Sequence, residues 1–254
     1  MKPNPIPLLL CCAIFQTTLA ADEPDFGQRL SNAAKAALGT PYAAGPLGEG
    51  PTGVYDQDPL IDPTKVDCVT YVEQSIAQAA APDKPLPALT ALRYKNAQIN
   101  FAARNHFWFT DWLENNAFCK DITQKLGVKT TPLTRTISRR DFFARVNAPN
   151  LGQATTDRKV TICYIAPEDA PSALQELPSP ALITFIGKID WLFALHCGLY
   201  IKDEQDQGKL HHASSKAGKV VAVDLPQYLA ENAERYLGFT AHAINSPTQQ
   251  KTPR

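Results

Sequence analysis

A chain of 254 residues with 44% hydrophobic and 20% charged side chains is long and apolar enough to bury a sizeable core. Its 25 basic residues balance 25 acidic ones, so no global field draws it to nucleic acid or to an anionic membrane surface. No basic cluster interleaved with aromatics restores one.

The first twenty residues read as a secretory signal peptide, with Lys2 as the positive start and Ile6 to Phe15 as the apolar run. Thr18-Leu19-Ala20-Ala21 offers a cleavage point after Ala20 or Ala21. The run is about half the roughly 20 apolar residues a membrane anchor needs, and no later segment is long enough either, so no stable membrane insertion is expected. Cys11 follows three leucines, as in a lipoprotein signal, but sits inside the apolar run. Export to the periplasm is expected, with the extracellular space as the other destination. The mature chain then keeps Cys68, Cys119, Cys163 and Cys197. If Cys68 is catalytic, the other three allow at most one disulfide, and spacing does not choose the pair.

Phe26, Leu30, Ala33, Ala34 and Leu38 recur at helical spacing and predict a helix over 22–39, ended by Gly39. A loop rich in Gly and Pro follows to about Pro63. A second helix starts at Asp67-Cys68, where Val69, Val72, Ile76, Ala79 and Ala80 form one face; Pro82 to Pro87 stop it. Leu89 to Asn116 reads as short helix and loop, and 121–158 as an irregular or partly helical excursion. Strands are predicted at Val160–Ile165, Ala181–Ile186, Leu195–Ile201, Leu210–Ser214 and Val220–Val223, with a hairpin turn at Asp203–Gly208. A closing helix is predicted over Leu225–Tyr236 and a disordered tail over 245–254. The order predicts an α+β domain over 21–244, with helices packed on one face of an antiparallel sheet and an inserted helical and loop segment at about 84–158.

Cys68 stands at a predicted helix start, directly after Asp67. Unpaired backbone N–H groups and the helix dipole favour an anion there, which stabilises a thiolate and raises its reactive fraction. The same N–H groups suit the oxyanion formed when a thiolate attacks a carbonyl. The other use of such a residue is as a small buried side chain. A base is needed next, and His196 lies in the strand Ala194-Leu195-His196-Cys197-Gly198-Leu199-Tyr200-Ile201. Alternation puts Leu195, Cys197, Leu199 and Ile201 on a core face and His196, Gly198 and Tyr200 on the other. Gly198 would let a helix end come close. His211 and His212 open the next strand, and only one of them can face His196 to orient its ring. Zinc is disfavoured, since neither HExxH nor paired CxxC occurs. The Asp203–Gly208 turn lacks the acidic ligands of a calcium loop, and no phosphate-binding glycine loop or GxSxG elbow is present. No metal or organic cofactor is expected.

Three segments together resemble the NlpC/p60 superfamily of papain-like cell-wall cysteine hydrolases. They are Gly39-Thr40-Pro41-Tyr42 with Gly45, Asp67-Cys68-Val69-Thr70-Tyr71-Val72-Glu73, and His196-Cys197-Gly198-Leu199-Tyr200 followed by His212-Ala213-Ser214-Ser215 and Gly218-Lys219-Val220. The wording around Cys68, with Arg104-Asn105-His106-Phe107 and Asp111-Trp112, is similar to the N-acetylmuramoyl-L-alanine amidase-like branch (DUF1460 type). The resemblance implies a papain-like fold and a Cys68–His196–His212 triad, His212 being preferred because Ala213-Ser214 follows it. It places Tyr42, with Asp67 beside the nucleophile, on the substrate-binding and oxyanion side. It further implies peptidoglycan or a muropeptide as substrate and the amide between N-acetylmuramic acid and L-alanine as the bond cut. Cys197 stands where many relatives have valine. Trp108 and Trp112 could offer sugar-stacking surface, core burial being the commoner use of each. Three other readings compete: an endopeptidase cutting after D-glutamate, a non-catalytic wall-binding module, and an acyltransferase acting on lipid.

Overall fold

The computed structural model describes residues 24–151 and 156–247. The predicted signal peptide and residues 248–254 of the predicted tail lie outside the described residues. Within the remainder of that tail, Asn245 is held by its N–H and Nδ2, which both donate to the Phe118 carbonyl at 3.1 and 3.2 Å.

Helix α1 (Phe26–Ala36) starts at Asp25, whose carboxylate accepts from Gln28 N–H. Helix α2 (Cys68–Ala80) starts at a capping box: Asp67 accepts from the Thr70 N–H, and Thr70 accepts from the Asp67 N–H. Pro85 does more than stop α2, for it opens α3 (Pro85–Arg93) at a position where no amide hydrogen is needed. The aromatic stretch then forms a π-helical turn (Trp108–Trp112) that runs into the one-turn α4 (Leu113–Asn115).

The expected excursion is more ordered than its polarity predicts. Strand β1 (Cys119–Asp121) leads into it, and it holds β2 (Thr131–Ile137) and α5 (Arg139–Arg145). Strand β2 pairs antiparallel with β3 (Arg158–Tyr164), and the two form a separate ribbon, so β3 does not join the main sheet as expected. Leu133, Ile137, Val160 and Ile162 of this ribbon pack in one cluster with Phe107 and Phe193. Helix α6 (Ala170–Glu176) follows.

The main sheet takes β4 (Ala181–Gly187), β5 (Ala194–Lys202), β6 (Gly208–Ser214), β7 (Lys219–Val223) and β8 (Tyr236–Ile244), in the order β1-β8-β4-β5-β6-β7, all antiparallel. The closing helix is shorter than predicted: α7 (Leu225–Glu231) ends before Tyr236, which instead begins β8. Gly238 lies where an added Cβ would sit 2.0 Å from the Ile165 carbonyl, so glycine lets the chain after β3 bond to Phe239.

The fold is α+β with an antiparallel sheet, but helices cover both faces rather than one. Leu182, Cys197, Leu199, Ile201, Ala213 and Val220 pack toward the α1, α2 and α3 core. Ala181, Ile183, Phe185, Tyr200 and Leu210 pack on the opposite face against Leu225 and Leu229 of α7 and Ala170 and Ala173 of α6. All seven residues of β4 are buried, as expected of a strand covered on both sides. Beside it, the β4–β5 register shifts at Phe185/Ile186, opposite Ala194 and His196. This irregularity turns Leu195 to the α7 side, away from the face that alternation assigned it.

A buried polar network fastens α2 to its surroundings. Glu73 accepts from Arg93 Nη1 at 2.5 Å and from Trp112 Nε1 at 2.9 Å. Arg93 Nη2 and the Tyr94 hydroxyl donate to the carbonyls of Leu47 and Gly48 at 3.1 and 2.9 Å. Arg104 bonds Glu49 and Asp56 in the same loop. Burial pushes the Glu73 carboxyl up, while the charge of Arg93 and the indole N–H pull it back. No helix among the described residues is long and apolar enough to cross a membrane.

Candidate active site

The first residue of α2 is Cys68, so its side chain stands where the unpaired N–H groups of the helix converge. The Asp67 carboxylate is occupied on both oxygens: Oδ1 accepts from Thr70 at 2.7 Å and Oδ2 accepts from the Gly45 N–H at 3.2 Å. It therefore shapes the helix start and the preceding loop. Cys68 is partly exposed and lines an open cavity of about 630 Å³, shared with Tyr42, His196, His212, Lys216, Tyr228 and Arg235.

Local chain geometry brings these groups together. The segment from Gly39 to Tyr42 is stitched to β7, with Gly39 N–H donating to Val220 O at 2.9 Å and Tyr42 N–H to Gly218 O at 2.9 Å. That holds the Tyr42 ring at the cavity wall. Partial burial, followed by the negative charges of Cys68 and Asp67, raises the affinity of the Tyr42 phenol for its proton. His196 and His212 come from β5 and β6, and His196 Nε2 lies 2.7 Å from His212 Nδ1 with the rings nearly perpendicular. Gly198 makes this possible: an added Cβ would sit 2.6 Å from the His211 carbonyl and 2.9 Å from His212 Cβ. The space admits the neighbouring strand, where a helix end was expected.

With Nε2 committed to His212, Nδ1 of His196 is the nitrogen left for Cys68 in the cavity they share. Burial and the neighbouring charge of His196 push His212 down to about 3, so it is neutral at neutral pH. A neutral His212 with its proton on Nε2 presents Nδ1 as an acceptor, which lets it receive the Nε2–H of a charged His196. Phe185 and Tyr228 pack the pair, the Tyr228 ring lying 4.7 Å from His212. The Tyr228 hydroxyl is 3.2 Å from that of Tyr236. His211 faces away, as alternation requires, and burial pushes it down to about 4.

Cys197 is the unexpected neighbour. Its Sγ lies 3.3 Å from the Cys68 carbonyl and also within reach of the Cys68 sulfur. One S–H cannot serve both acceptors at once; a thiolate, carrying full charge, is the stronger of the two. The Cys68 thiol is held well below its ordinary range, first by the Cys197 hydrogen bond and then, against burial, by the hydrogen bond and charge of His196. Burial, with the adjoining Cys68 sulfur, pushes the Cys197 thiol up. All four described cysteines are free thiols. Among the described residues no group of three or more His, Cys, Asp or Glu side chains is arranged to hold a metal ion.

The structure thus brings together Cys68, His196, His212 and Tyr42, and gives Asp67 the work of capping. Trp108 and Trp112 are buried and stacked on each other at 4.4 Å. Sequence reasoning missed the approach of Cys197, although its oddity beside the family pattern was a signal. It also missed Tyr228 and Arg235, for which no local pattern speaks. Chemically, the arrangement offers a nucleophile at a helix start, a base beside it, an acceptor behind the base and a phenol across the cavity.

The model of the AmiA-like family, described as N-acetylmuramoyl-L-alanine amidase-like, matches residues 32–238. No curated protein sequence matches the chain. Among solved structures it is similar to a Legionella pneumophila protein of the DUF1460 family, at TM-score 0.79 and 24% identity over 87% of this chain and 89% of that one. It is also similar to an N-acetylmuramoyl-L-alanine amidase from Bacteroides uniformis, at TM-score 0.69 and 22% identity over 87% of this chain and 99% of that one. Such identities speak for the fold alone. The family match carries more: this chain belongs to the N-acetylmuramoyl-L-alanine amidase-like family of peptidoglycan hydrolases.

Proposed function

From that membership, we propose that the chain is a cysteine-dependent peptidoglycan amidase of the papain-like NlpC/p60 kind. It cuts the amide between the lactyl group of N-acetylmuramic acid and L-alanine, using Cys68, His196 and His212. The observation that carries this reading is Cys68 at a helix start beside a histidine whose other nitrogen is held 2.7 Å from a second, neutral histidine. Its catalytic unit spans 21–244 with an insertion at about 84–158, and the enzyme works after export, in the periplasm.

The Cys68 thiolate attacks the lactyl carbonyl, whose oxygen gains negative charge and is met by N–H groups at the start of α2 and by the Tyr42 hydroxyl. His196, protonated and donating through Nε2 to His212, gives its Nδ1 proton to the departing amine of L-alanine. A thioester between Cys68 and the muramic acid lactyl group remains. His196 then takes a proton from water, which attacks the thioester; the lactyl carboxylic acid leaves and gives its own proton to solvent, and the Cys68 thiolate is restored beside a protonated His196.

Rapid quenching followed by intact-protein mass measurement tests this, because the bound acyl group identifies the bond. An adduct on Cys68 with the mass of the sugar fragment supports the amidase. An adduct that carries L-alanine and D-glutamate in addition to the sugar would move the cut to the endopeptidase position. An unmodified protein that still makes product would remove covalent catalysis, and the absence of any product would favour a wall-binding module.

A further inference from the structure

Two cations share the nucleophile's cavity without carboxylate partners. Lys216, in the turn between β6 and β7, and Arg235, at the entry to β8, both line it. Among the described residues neither forms a salt bridge, whereas Arg93, Arg104, Arg139 and Arg158 each hold a carboxylate. The one acidic side chain on the same wall, Glu231, accepts from Gln227 Nε2 at 2.8 Å.

Arg235 is also held in place. Its N–H donates to the Asn232 carbonyl at 2.9 Å, and its own carbonyl accepts from the Lys188 N–H at 3.0 Å. Its guanidinium lies 5.3 Å from the centre of the Tyr236 ring, which orients the planar group. The charges of Arg235 and Cys68 both reach the phenols of Tyr42, Tyr228 and Tyr236, so the cation and the nucleophile flank one small space. A fixed, exposed and unpaired guanidinium is suited to a carboxylate, which it can bind through two parallel hydrogen bonds.

The proposed substrate has such a group close to the cut. The residue after L-alanine in the stem is glutamate joined through its side-chain carboxyl, so its α-carboxylate is free. One residue spans about 3.3–3.6 Å of extended chain, so this carboxylate lies only one or two residue lengths from the attacked carbonyl. We infer that Arg235, assisted by Lys216, binds that carboxylate and makes the enzyme selective for stems in which it is free over stems in which it is a carboxamide. The inference rests on the amidase reading and names the substrate class of that site. Arg235 acts on binding, away from the reacting atoms.

The test compares the parent with Arg235→Gln and Arg235→Lys on two soluble muropeptides that differ only in carboxylate or carboxamide at that position. The parent is expected to prefer the carboxylate by about ten- to a hundredfold in kcat/KM, the range of a hydrogen bond to a charged group, chiefly through KM. Arg235→Gln is expected to bring the ratio of the two substrates close to one, and Arg235→Lys to recover part of it. A parent without preference, or a Gln variant that slows equally on both substrates, would overturn the proposal while leaving the amidase standing. Failure of the parent on both muropeptides would instead remove the amidase reading itself and this inference with it.

Discussion

Removing the side chain of His212 separates orientation from nucleophilicity. The 2.7 Å contact to His196 Nε2 is the acceptor for the proton a charged His196 carries. In His212→Ala that N–H faces Phe185 and Tyr228, which offer rings in place of an acceptor. A hydrogen bond to a charged group contributes about 1.5–3 kcal/mol, equivalent to roughly a ten- to 150-fold loss of rate at 1.4 kcal/mol per factor of ten. The loss should fall on kcat, because His212 acts by orienting the ring that delivers the proton to the departing amine. His212→Asn restores an acceptor, since its side-chain oxygen occupies much the same place as Nδ1, and should recover most of the rate. Steady-state muropeptide kinetics on both variants, with thermal melts to confirm folding of each, make the comparison. An Ala variant within twofold of the parent, or an Asn variant as slow as Ala while equally folded, would refute the orienting role.

Three further outcomes follow from the same geometry. Cys197→Val removes the S–H donor while keeping a strand-forming apolar side chain, so the Cys68 thiol should titrate at higher pH; iodoacetamide alkylation against pH reads this, and an unmoved or lowered midpoint would contradict it. Glu73→Ala leaves Arg93 buried without its partner and should lower unfolding stability by about 3–5 kcal/mol, whereas Glu73→Leu with Arg93→Leu should recover much of it in urea titrations. His106 and His212, each pushed down to about 3 chiefly by burial, are neutral in the fold and take up protons on unfolding below about 6.5. The unfolded state therefore binds more protons between about pH 6.5 and 3, so their contribution is full above that window and lost as pH falls through it. Urea midpoints should drop from pH 7 to pH 5, and His106→Phe should flatten the drop; an unchanged slope would count against it.

Features set by local chemistry were legible in the sequence. Asp67 ahead of Cys68 and the three- and four-residue spacing after it mark the start of α2 and hence the place of Cys68. Alternation likewise allowed only one of His211 and His212 to face His196, and the family resemblance, through Ala213-Ser214, chose His212. What stayed hidden depends on distant partners. Strand β8 mixes Gly238, Ala241 and Ala243, of low strand preference, with Tyr236, Phe239, Thr240 and Ile244, and it is fixed as a strand by β4 and β1 on either side. Strand β2 is threonine-rich and half exposed, so its polarity obscured its alternation. The shift opposite Ala194 and His196, which turns Leu195 over, has no signature in the strand itself. Cys197 meets Cys68 across 129 positions of chain, and Tyr228 reaches the histidines only because α7 covers the second face of the sheet.

The most direct test of the central claim is to incubate the parent and its Cys68→Ala variant with defined muropeptides under reducing conditions and weigh the products. Free stem peptide together with peptide-free sugar, made by the parent and not by the variant, is the expected result. Equal cleavage by a folded Cys68→Ala protein would contradict the account at its root.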